Sequence, residues 1–506
     1  MNINSKSFAR MLCGAVACTL AVKGALAETS PQPRMATEIP PGIAIPDEVE
    51  TRLGTLKFFD GFPDQQTVDK IYDNLDFQRA VQAYLLALAP VNMAGLRAGL
   101  LGVGPANVTV PTFETNMNAR SIFLTANATT PYTWIWVNLH DGPLVLEVPP
   151  MVLGMIDDFW FRYVTDIGIV GPDQGKGGKY LLLPPGYTGD VPEGYMVVQV
   201  PTFESILVWR NMPVEGDIKP AIESLHKNTR IYSLSQSANP PANTFVNVSD
   251  RDFSTVAPAD YQFWELLNYV VQNEPVESLD PVSLGFFASI GIEKGKPFAP
   301  DERMKQILTE AAAVGDATAR TLTYKSRIPE AFYYPNSTWR QWLGGYKFES
   351  QTGVAHLDAA AFFYFYATGV TPAMEAKMVG QGSQYAVGLL DSQGNPLDGG
   401  KTYRLHVLPN APAKDFWSAI VYDNQTRSML QTDQDFPQVS SLDDGLIVNQ
   451  DGSVDVYFGP KAPPGMEGNW IETIPGKGWN MLFRLYGPLE PWFDKTWKLS
   501  EIELVE

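Results

Sequence analysis

Short β-forming runs separated by turn residues are the feature that most constrains this fold. Seven such runs lie between residues 121 and 210: SIFLTA, YTWIWVNL, PLVLEVP, DFWFRYVTD, KYLLLPP, YMVVQVP and ESILVWR. The same pattern returns from Tyr385 to the end of the chain. Strands with this spacing are typical of antiparallel sandwiches. The sequence therefore predicts an α+β chain, mainly β, with two antiparallel jelly-roll-like β-sandwich domains.

Helical patterns precede and separate these two β regions. Apolar residues recur every three or four positions from 68 to 100, with a predicted break near Pro90. A second helical section covers roughly residues 219–319, and an aromatic segment follows at residues 330–348. That segment cannot bury all its aromatic side chains alone, so we expect it to pack between the β domains or against another subunit. A homo-oligomer is therefore predicted.

These patterns divide the chain of 506 residues, which is too long for one hydrophobic core, into six segments. We predict a signal peptide at 1–27, an extended N-terminal arm at 28–66, a helical segment at 67–100, a first β domain at 101–218, a helical connecting region with the aromatic bridge at 219–345, and a second β domain at 346–506.

The first residues have the pattern of a secretory signal peptide. Lys6 and Arg10 precede an apolar run at residues 11–22, and the small-residue sequence Ala-Leu-Ala ends at Ala27. The run is shorter than the roughly 20 residues that a membrane span needs. We expect cleavage after Ala27 and a soluble periplasmic or secreted protein without a membrane span. The alternative, a lipoprotein anchored through Cys18, lacks the usual large aliphatic residue before the cysteine.

Removal of the leader changes both the thiol content and the charge. Both cysteines, Cys13 and Cys18, lie in the leader, so disulfides, zinc-thiolate sites and cysteine nucleophiles are excluded from the mature chain. The leader also holds three basic residues and no acidic ones, so 34 basic against 56 acidic residues give a charge of −22. Such a chain repels nucleic acid and anionic membrane surfaces.

Common catalytic and metal-binding motifs are missing from the sequence. It contains neither a Gly-x-Ser-x-Gly elbow nor a His-Glu-x-x-His helix. Its four histidines, His140, His226, His356 and His406, are not at ligand spacing. No metal site and no cofactor are predicted.

Two longer segments resemble families of exported bacterial proteins. TANATTPYTWIWVNLHDGPLVLEVP, followed by GKGGKYLLLPPGY, resembles domain of unknown function 1254. YAVGLLDSQGNPLDGGKTYRLHVLPNAPAKDFWSAIVYDNQTRSML, followed by DGSVDVYFGP and LFRLYGP, resembles domain of unknown function 1214. The resemblance implies two jelly-roll-like β domains with helices between them and no settled activity. The chain departs from the expected Asn-x-Asp-Thr pattern, because Thr129 stands where the family pattern has Asp.

Arg484 is the most demanding residue in these motifs, because it lies in an apolar strand pattern. A buried guanidinium needs a carboxylate, a carbonyl or a ligand anion. One interpretation is a structural clasp with Asp423, which lies at the end of the run DFWSAIVYD. The other is a cleft in which Arg484 binds an anion beside an aromatic wall of Trp417, Trp470 and Tyr486.

Two classes of function remain open. The first is a binding protein for an extracytoplasmic ligand, such as a glycan or a small organic anion. The second is a metal-independent hydrolase or lyase that uses Tyr, Asp and Arg side chains. The candidate ligand-binding residues are Asn127, Tyr132, Trp417, Tyr422, Asp423, Asn469, Trp470, Arg484 and Tyr486.

Overall fold

The computed structural model describes residues 35–214, 217–341, 346–374 and 377–505. The predicted signal peptide lies outside the described residues, so its cleavage stays a prediction. The chain divides into two compact units, one ending at Ile71 and the other running from Tyr72 onward.

Helices supply much of the second unit. The described residues form seven α-helices: α1 (Gln65–Leu101), α2 (Lys219–Asn228), α3 (Gln262–Asn273), α4 (Pro281–Ser289), α5 (Glu302–Tyr324), α6 (Leu357–Tyr366) and α7 (Glu490–Phe493). Pro90 lies inside α1 without ending it, which differs from the predicted break. By length and composition α1 could span a membrane, but 67% of its most apolar window is buried, as in the core helix of a soluble protein.

The strands of the described residues fall into several sheets. They are β1 (Glu48–Thr51), β2 (Gly54–Phe59), β3 (Phe62–Pro63), β4 (Thr109–Thr112), β5 (Ser121–Ile122), β6 (Tyr132–Asn138), β7 (Leu144–Val148), β8 (Val152–Asp158), β9 (Tyr163–Gly168), β10 (Gly178–Leu183), β11 (Met196–Gln199), β12 (Glu204–Asn211), β13 (Arg230–Ser233), β14 (Thr244–Asn247), β15 (Phe253–Ser254), β16 (Ser383–Gly388), β17 (Tyr403–Val407), β18 (Ala413–Asp423), β19 (Gln438–Ser440), β20 (Val454–Gly459), β21 (Trp470–Glu472), β22 (Trp479–Pro488) and β23 (Ile502–Leu504).

The first unit contains a small antiparallel sheet of β1, β2 and β3. An extended arm was predicted for this part of the chain. The structure instead forms hairpins, because turn residues separate short strand-forming runs here as they do later in the chain.

Two sheets face each other in the first β region. One has the order β14-β4-β6-β12-β8-β9 and the other the order β11-β10-β7-β13. Residues of both sheets, such as Ile135, Leu207, Leu146 and Leu182, share one core. Strands β13 and β14 follow α2, so this region continues past residue 218 into the segment that was predicted to be helical.

The second β region also pairs two sheets, in the orders β16-β22-β18-β19 and β21-β20-β17-β23. Ala419 and Val421 from the first of these sheets and Leu405 and Phe458 from the second lie in one core. Both faces of β18 are buried from Trp417 onward, because its other face packs into the central core of the unit through Ile420 and its neighbours.

The architecture is a mixed α and β fold with strands in several sheets and about equal helix and strand content. The prediction of a chain with both helices and many strands is confirmed, but helix and strand content are about equal, so the chain is not mainly β. Helices α1 and α5, which are 37 and 23 residues long, supply much of the helix content, and both lie in segments that were predicted to be helical. Parallel pairs also occur, between β4 and β14, between β10 and β11, and between β20 and β21.

A buried pair of carboxylates joins the helical part of the second unit to the first β region. Glu204 accepts hydrogen bonds from Arg97 Nε at 2.7 Å and from the Tyr269 hydroxyl at 2.6 Å. Glu274, after α3, accepts the backbone N–H groups of Phe203 and Glu204. Burial is the main cause that raises the pKa of Glu274 to about 7, with the charge of Glu204 adding to it and the two hydrogen bonds opposing it.

Glu274 should make stability depend on pH. Its folded-state pKa is raised above the ordinary 4.5, so the folded chain holds this proton more tightly than the unfolded chain. The resulting stability is complete below about pH 4.5 and is lost as the pH rises through about 7. We predict that Glu274→Gln reduces the change in the free energy of unfolding across this pH window by up to about 3 kcal/mol.

Urea titrations across the same pH range measure this slope. Glu277→Gln, at an exposed neighbour, is the matched control and should keep the wild-type slope. Equal slopes for wild type and Glu274→Gln would contradict the prediction.

Candidate functional site

One wall of the candidate site is a face of the six-stranded sheet. The register places Tyr132 opposite Arg210, and Trp134 opposite Val208. Because side chains alternate between the faces of a strand, these four residues share one face. Asp166, on β9, lies across β8 from β12 on the same face.

The opposing wall comes from the second β region. Strands β16 and β22 pair so that Tyr385 lies opposite Arg484, and Ser383 lies opposite Tyr486. Tyr422, on β18, lies opposite Asn480 of β22. Two regions that are far apart in the sequence therefore bring tyrosines and arginines face to face.

A cavity of about 460 Å³, which we call the first chamber, lies between these walls. Its lining is largely apolar and rich in methionine. The apolar side chains that line it include Met117, Phe123, Trp134, Met155, Val208, Met212, Met374, Met378 and Leu482. Its polar lining includes Arg210, Tyr132, Arg484, Tyr385 and Asp166.

Arg484 is buried and bonded to neutral groups. Its Nη2 donates to the carbonyl of Thr125 at 2.7 Å, to the carbonyl of Ala126 at 3.3 Å and to the Tyr422 hydroxyl at 2.7 Å. Its Nε has no acceptor among the described residues, and its guanidinium lies 5.3 Å from the centre of the Tyr385 ring. No carboxylate of a described residue pairs with it.

Thr125 presents its carbonyl to Arg484 from a strained backbone conformation. Its φ is +42°, which a β-branched residue rarely adopts. The conformation is fixed by a hydrogen bond from its N–H to the Arg427 carbonyl and by another from its hydroxyl to the Tyr366 carbonyl. Strain of this kind concentrates at binding and catalytic sites.

Arg210 is the second cation of the site. Its Nη1 donates one long hydrogen bond, 3.3 Å, to Ser383 Oγ, and its guanidinium lies over the rings of Tyr132 and Tyr486. Within the described chain it makes no ion pair with a carboxylate. Arg210 and Arg484 therefore place two positive charges beside one chamber without a contacting counter-charge.

A polar network connects three of the predicted residues. Asn127 Oδ1 accepts from the Tyr486 hydroxyl at 2.9 Å, and its Nδ2 donates to the Tyr132 hydroxyl at 3.3 Å. Burial raises the pKa of the Tyr132 phenol, but the guanidinium of Arg210, the hydrogen bond from Asn127 and the charge of Arg484 outweigh it. The net pKa of Tyr132 is lowered from its ordinary value.

The predicted site residues Trp417, Asn469, Trp470 and Asp423 do not line the first chamber. Trp417 is in the core of the second β region, stacked on Phe483 with ring centres 5.5 Å apart. Asn469 and Trp470 bond to backbone groups of that region, the former to Ile447 and the latter to the Gly459 carbonyl. The predicted aromatic wall of Trp417, Trp470 and Tyr486 is therefore wrong.

The predicted clasp between Asp423 and Arg484 is also wrong. Asp423 forms an ion pair with Lys477 and accepts the N–H of Gln425 at 2.6 Å. Asp423 lies opposite Trp479 of β22. Arg484 is five positions further along β22, so Asp423 and Arg484 are separated by about 16 Å along the strand. Of the three kinds of partner considered for Arg484, a carboxylate, a carbonyl and a ligand anion, backbone carbonyls are the ones that accept its hydrogen bonds.

Three residues of the site, Arg210, Tyr385 and Thr125, were not predicted from the sequence. The signal for Arg210 is the one that identified Arg484, since in ESILVWRN it shares a face with Ile206 and Val208. Tyr385 has no such signal, because aromatic residues are ordinary in strands. The positive φ of Thr125 is invisible in sequence.

The fold and the site define a two-part protein with a cationic, apolar chamber between its β regions. Two family models match the chain: Protein of unknown function (DUF1254) at residues 107–233 and Protein of unknown function (DUF1214) at residues 382–490. The two matches confirm the predicted resemblance and its order along the chain. No curated protein matches the chain.

Two solved structures are similar to it. The crystal structure of the VPA0106 protein from Vibrio parahaemolyticus has a TM-score of 0.52 and 20% sequence identity, and the alignment covers 85% of this chain and 100% of that chain. This likeness concerns the fold alone. An uncharacterized protein from Burkholderia cenocepacia has a TM-score of 0.35 and 12% identity over 86% of this chain and 96% of that one, too little to support an argument.

Because Arg484 and Asp423 do not contact each other, mutations at the two positions should have additive effects on the free energy of unfolding. Arg484→Met should cost about 1–3 kcal/mol of unfolding free energy, because buried carbonyls lose their donor. Asp423→Asn breaks only the pair with Lys477 and should not rescue it. We expect the double mutant to equal the sum of the single effects within about 0.5 kcal/mol in denaturant titrations. If the double mutant were more stable than this sum by more than about 1 kcal/mol, the interpretation of Asp423 and Arg484 as a clasp would be supported instead.

Proposed function

We propose that this protein binds an organic anion with an apolar body in the first chamber. One observation carries the proposal: Arg210 and Arg484 line an apolar cavity, and no carboxylate of the described residues contacts either of them. A guanidinium in such surroundings is stabilised by a ligand oxyanion, which it can bind through two parallel hydrogen bonds.

The unpaired donors of the chamber support the same ligand. Trp134 Nε1 and Arg484 Nε are both buried and lack an acceptor among the described residues. Buried donors without a partner are costly, and a shift of either side chain that brought its N–H to a ligand oxygen would remove that cost. The ligand should therefore be an acceptor at one end.

The apolar lining of the first chamber indicates that the rest of the ligand is apolar. Methionine side chains such as Met155, Met374 and Met378 adapt to irregular apolar shapes. Each methylene that leaves water for such a lining contributes about 0.8 kcal/mol. A small hydrophilic anion would leave this surface unused.

Straight-chain carboxylates test the proposal directly. We expect isothermal titration with hexanoate, octanoate and decanoate to show affinity rising with chain length, and decanol to bind at least about tenfold more weakly than decanoate. Arg210→Met should weaken decanoate about 10- to 100-fold. The variant should fold, because Arg210 makes only one long hydrogen bond to another described residue.

Arg404→Met is the matched control, since it removes the same charge from a half-exposed site in the second β region. It should leave decanoate affinity unchanged. Equal losses in the two variants would show that only net charge matters, and the absence of binding by every carboxylate would refute the proposed function.

A second function is favoured by Tyr132. Its lowered pKa and its position in the chamber suit a general base in a lyase. In that reaction the Tyr132 phenolate takes a proton from the carbon next to the bound carboxylate, and the arginines stabilise the charge that develops on the carboxylate oxygens. A double bond forms as the leaving group departs from the next carbon with the bonding electron pair.

The substrate 3-acetoxyoctanoate distinguishes catalysis from binding. As a lyase, the wild-type protein should release acetate and oct-2-enoate, which proton NMR detects. Tyr132→Phe should abolish this reaction while octanoate affinity changes by less than about threefold. A wild-type protein that binds octanoate without eliminating acetate would leave binding as the function.

Export and assembly belong to the same proposal. We infer that the protein acts outside the cytoplasm after cleavage behind Ala27, which N-terminal sequencing of exported protein would test. Jelly-roll topology of the two sheet pairs, a homo-oligomeric state and a glycan ligand likewise stay predictions.

A further inference from the structure

A second cavity adjoins the first chamber. Its volume is about 540 Å³, and we call it the second chamber. The two chambers share Leu153, Arg210, Met212 and Gly382 in their linings. Arg210 therefore lies at the junction, where its guanidinium can reach a ligand that occupies both.

The second chamber differs from the first in chemistry. Phe416 stacks on Tyr486 with ring centres 4.0 Å apart and an interplanar angle of 19°. Asp415 and Asn116 also line the chamber, and neither side chain has a hydrogen bond to another described residue. Thr129 adds a hydroxyl. An aromatic platform beside a carboxylate and an amide that are free to bond suits a sugar, whose C–H face packs on the ring while its hydroxyls form hydrogen bonds.

We infer that the ligand is a uronic acid glycoside of an apolar alcohol, with its sugar in the second chamber and its aglycone in the first. This inference rests on the proposed function and names the ligand class for it. In a uronic acid glycoside the ring carbon that bears the carboxylate and the glycosidic carbon both flank the ring oxygen. A ring in the second chamber can therefore direct its carboxylate toward Arg210 and its apolar substituent through the same junction.

The charge at Asp415 agrees with this division of roles. Asp415 is exposed, and a carboxylate there disfavours a simple anion in the second chamber. It can still accept hydrogen bonds from sugar hydroxyls, which a straight-chain carboxylate does not offer. Removal of Asp415 should therefore affect the two ligand types differently.

Isothermal titration with four probes tests the inference: octyl β-D-glucuronide, octyl β-D-glucoside, glucuronate and octanoate. We expect octyl glucuronide to bind at least about tenfold more tightly than each of the other three. Phe416→Ala and Asp415→Ala should each weaken octyl glucuronide about tenfold. Octanoate affinity should stay within about twofold in Phe416→Ala and should be equal or tighter in Asp415→Ala.

Phe436→Ala, at an exposed phenylalanine that lines neither chamber, is the control and should leave the affinity for both ligands unchanged. Equal affinities for octanoate and octyl glucuronide, with no effect of Phe416→Ala or Asp415→Ala, would overturn the sugar site while the anion site stands. The absence of binding by both octanoate and octyl glucuronide would overturn the proposed function and this inference together.

Discussion

The hydrogen bonds of Arg484 join the two β regions and create the site between them. Its guanidinium, on β22, reaches the backbone of residues 125 and 126, which precede β6 of the other region. Tyr422 reinforces this connection, because its hydroxyl donates to the carbonyl of Ala126 at 2.6 Å. Hydrogen bonds from a charged donor are stronger than those from a neutral donor. In Arg484 such hydrogen bonds to carbonyl oxygens take the place of an ion pair with a carboxylate. The arrangement holds the two regions together while the positive charge stays available to a ligand.

The local charge of the chamber opposes the charge of the whole chain. The full sequence carries −19, yet the two guanidiniums that line the chamber have no carboxylate partner among the described residues. Exposed charges are screened beyond about 8 Å at physiological salt, whereas buried ones are screened much less. The acidic surface should therefore slow the arrival of an anion more than it weakens the bound complex. Affinity depends on Arg210, Arg484 and their apolar surroundings.

The sequence could predict individual strands and several site residues, but not how they meet. Alternation placed the strands around Trp134 and Phe483, and the charge of Arg484 in an apolar pattern marked it as unusual. The long helices α1 and α5 lie where helical patterns were predicted, and the error in α1 was that Pro90 was taken as a break. Trp417 was misplaced for a different reason: both faces of β18 are buried, so alternation could not decide which face meets the site.

The residue at position 129 decides whether a carboxylate of the chain itself lies close to the two arginines of the first chamber. Thr129 Oγ1 lies 2.6 Å from Asn127 Oδ1 and 2.8 Å from the Tyr486 hydroxyl. An aspartate there would bring a carboxylate into contact with the ring system over which Arg210 lies. That carboxylate would offset part of the positive charge and compete with a ligand oxyanion for the same donors. With threonine the network stays neutral, so Arg210 and Arg484 keep their charge for whatever enters the chamber.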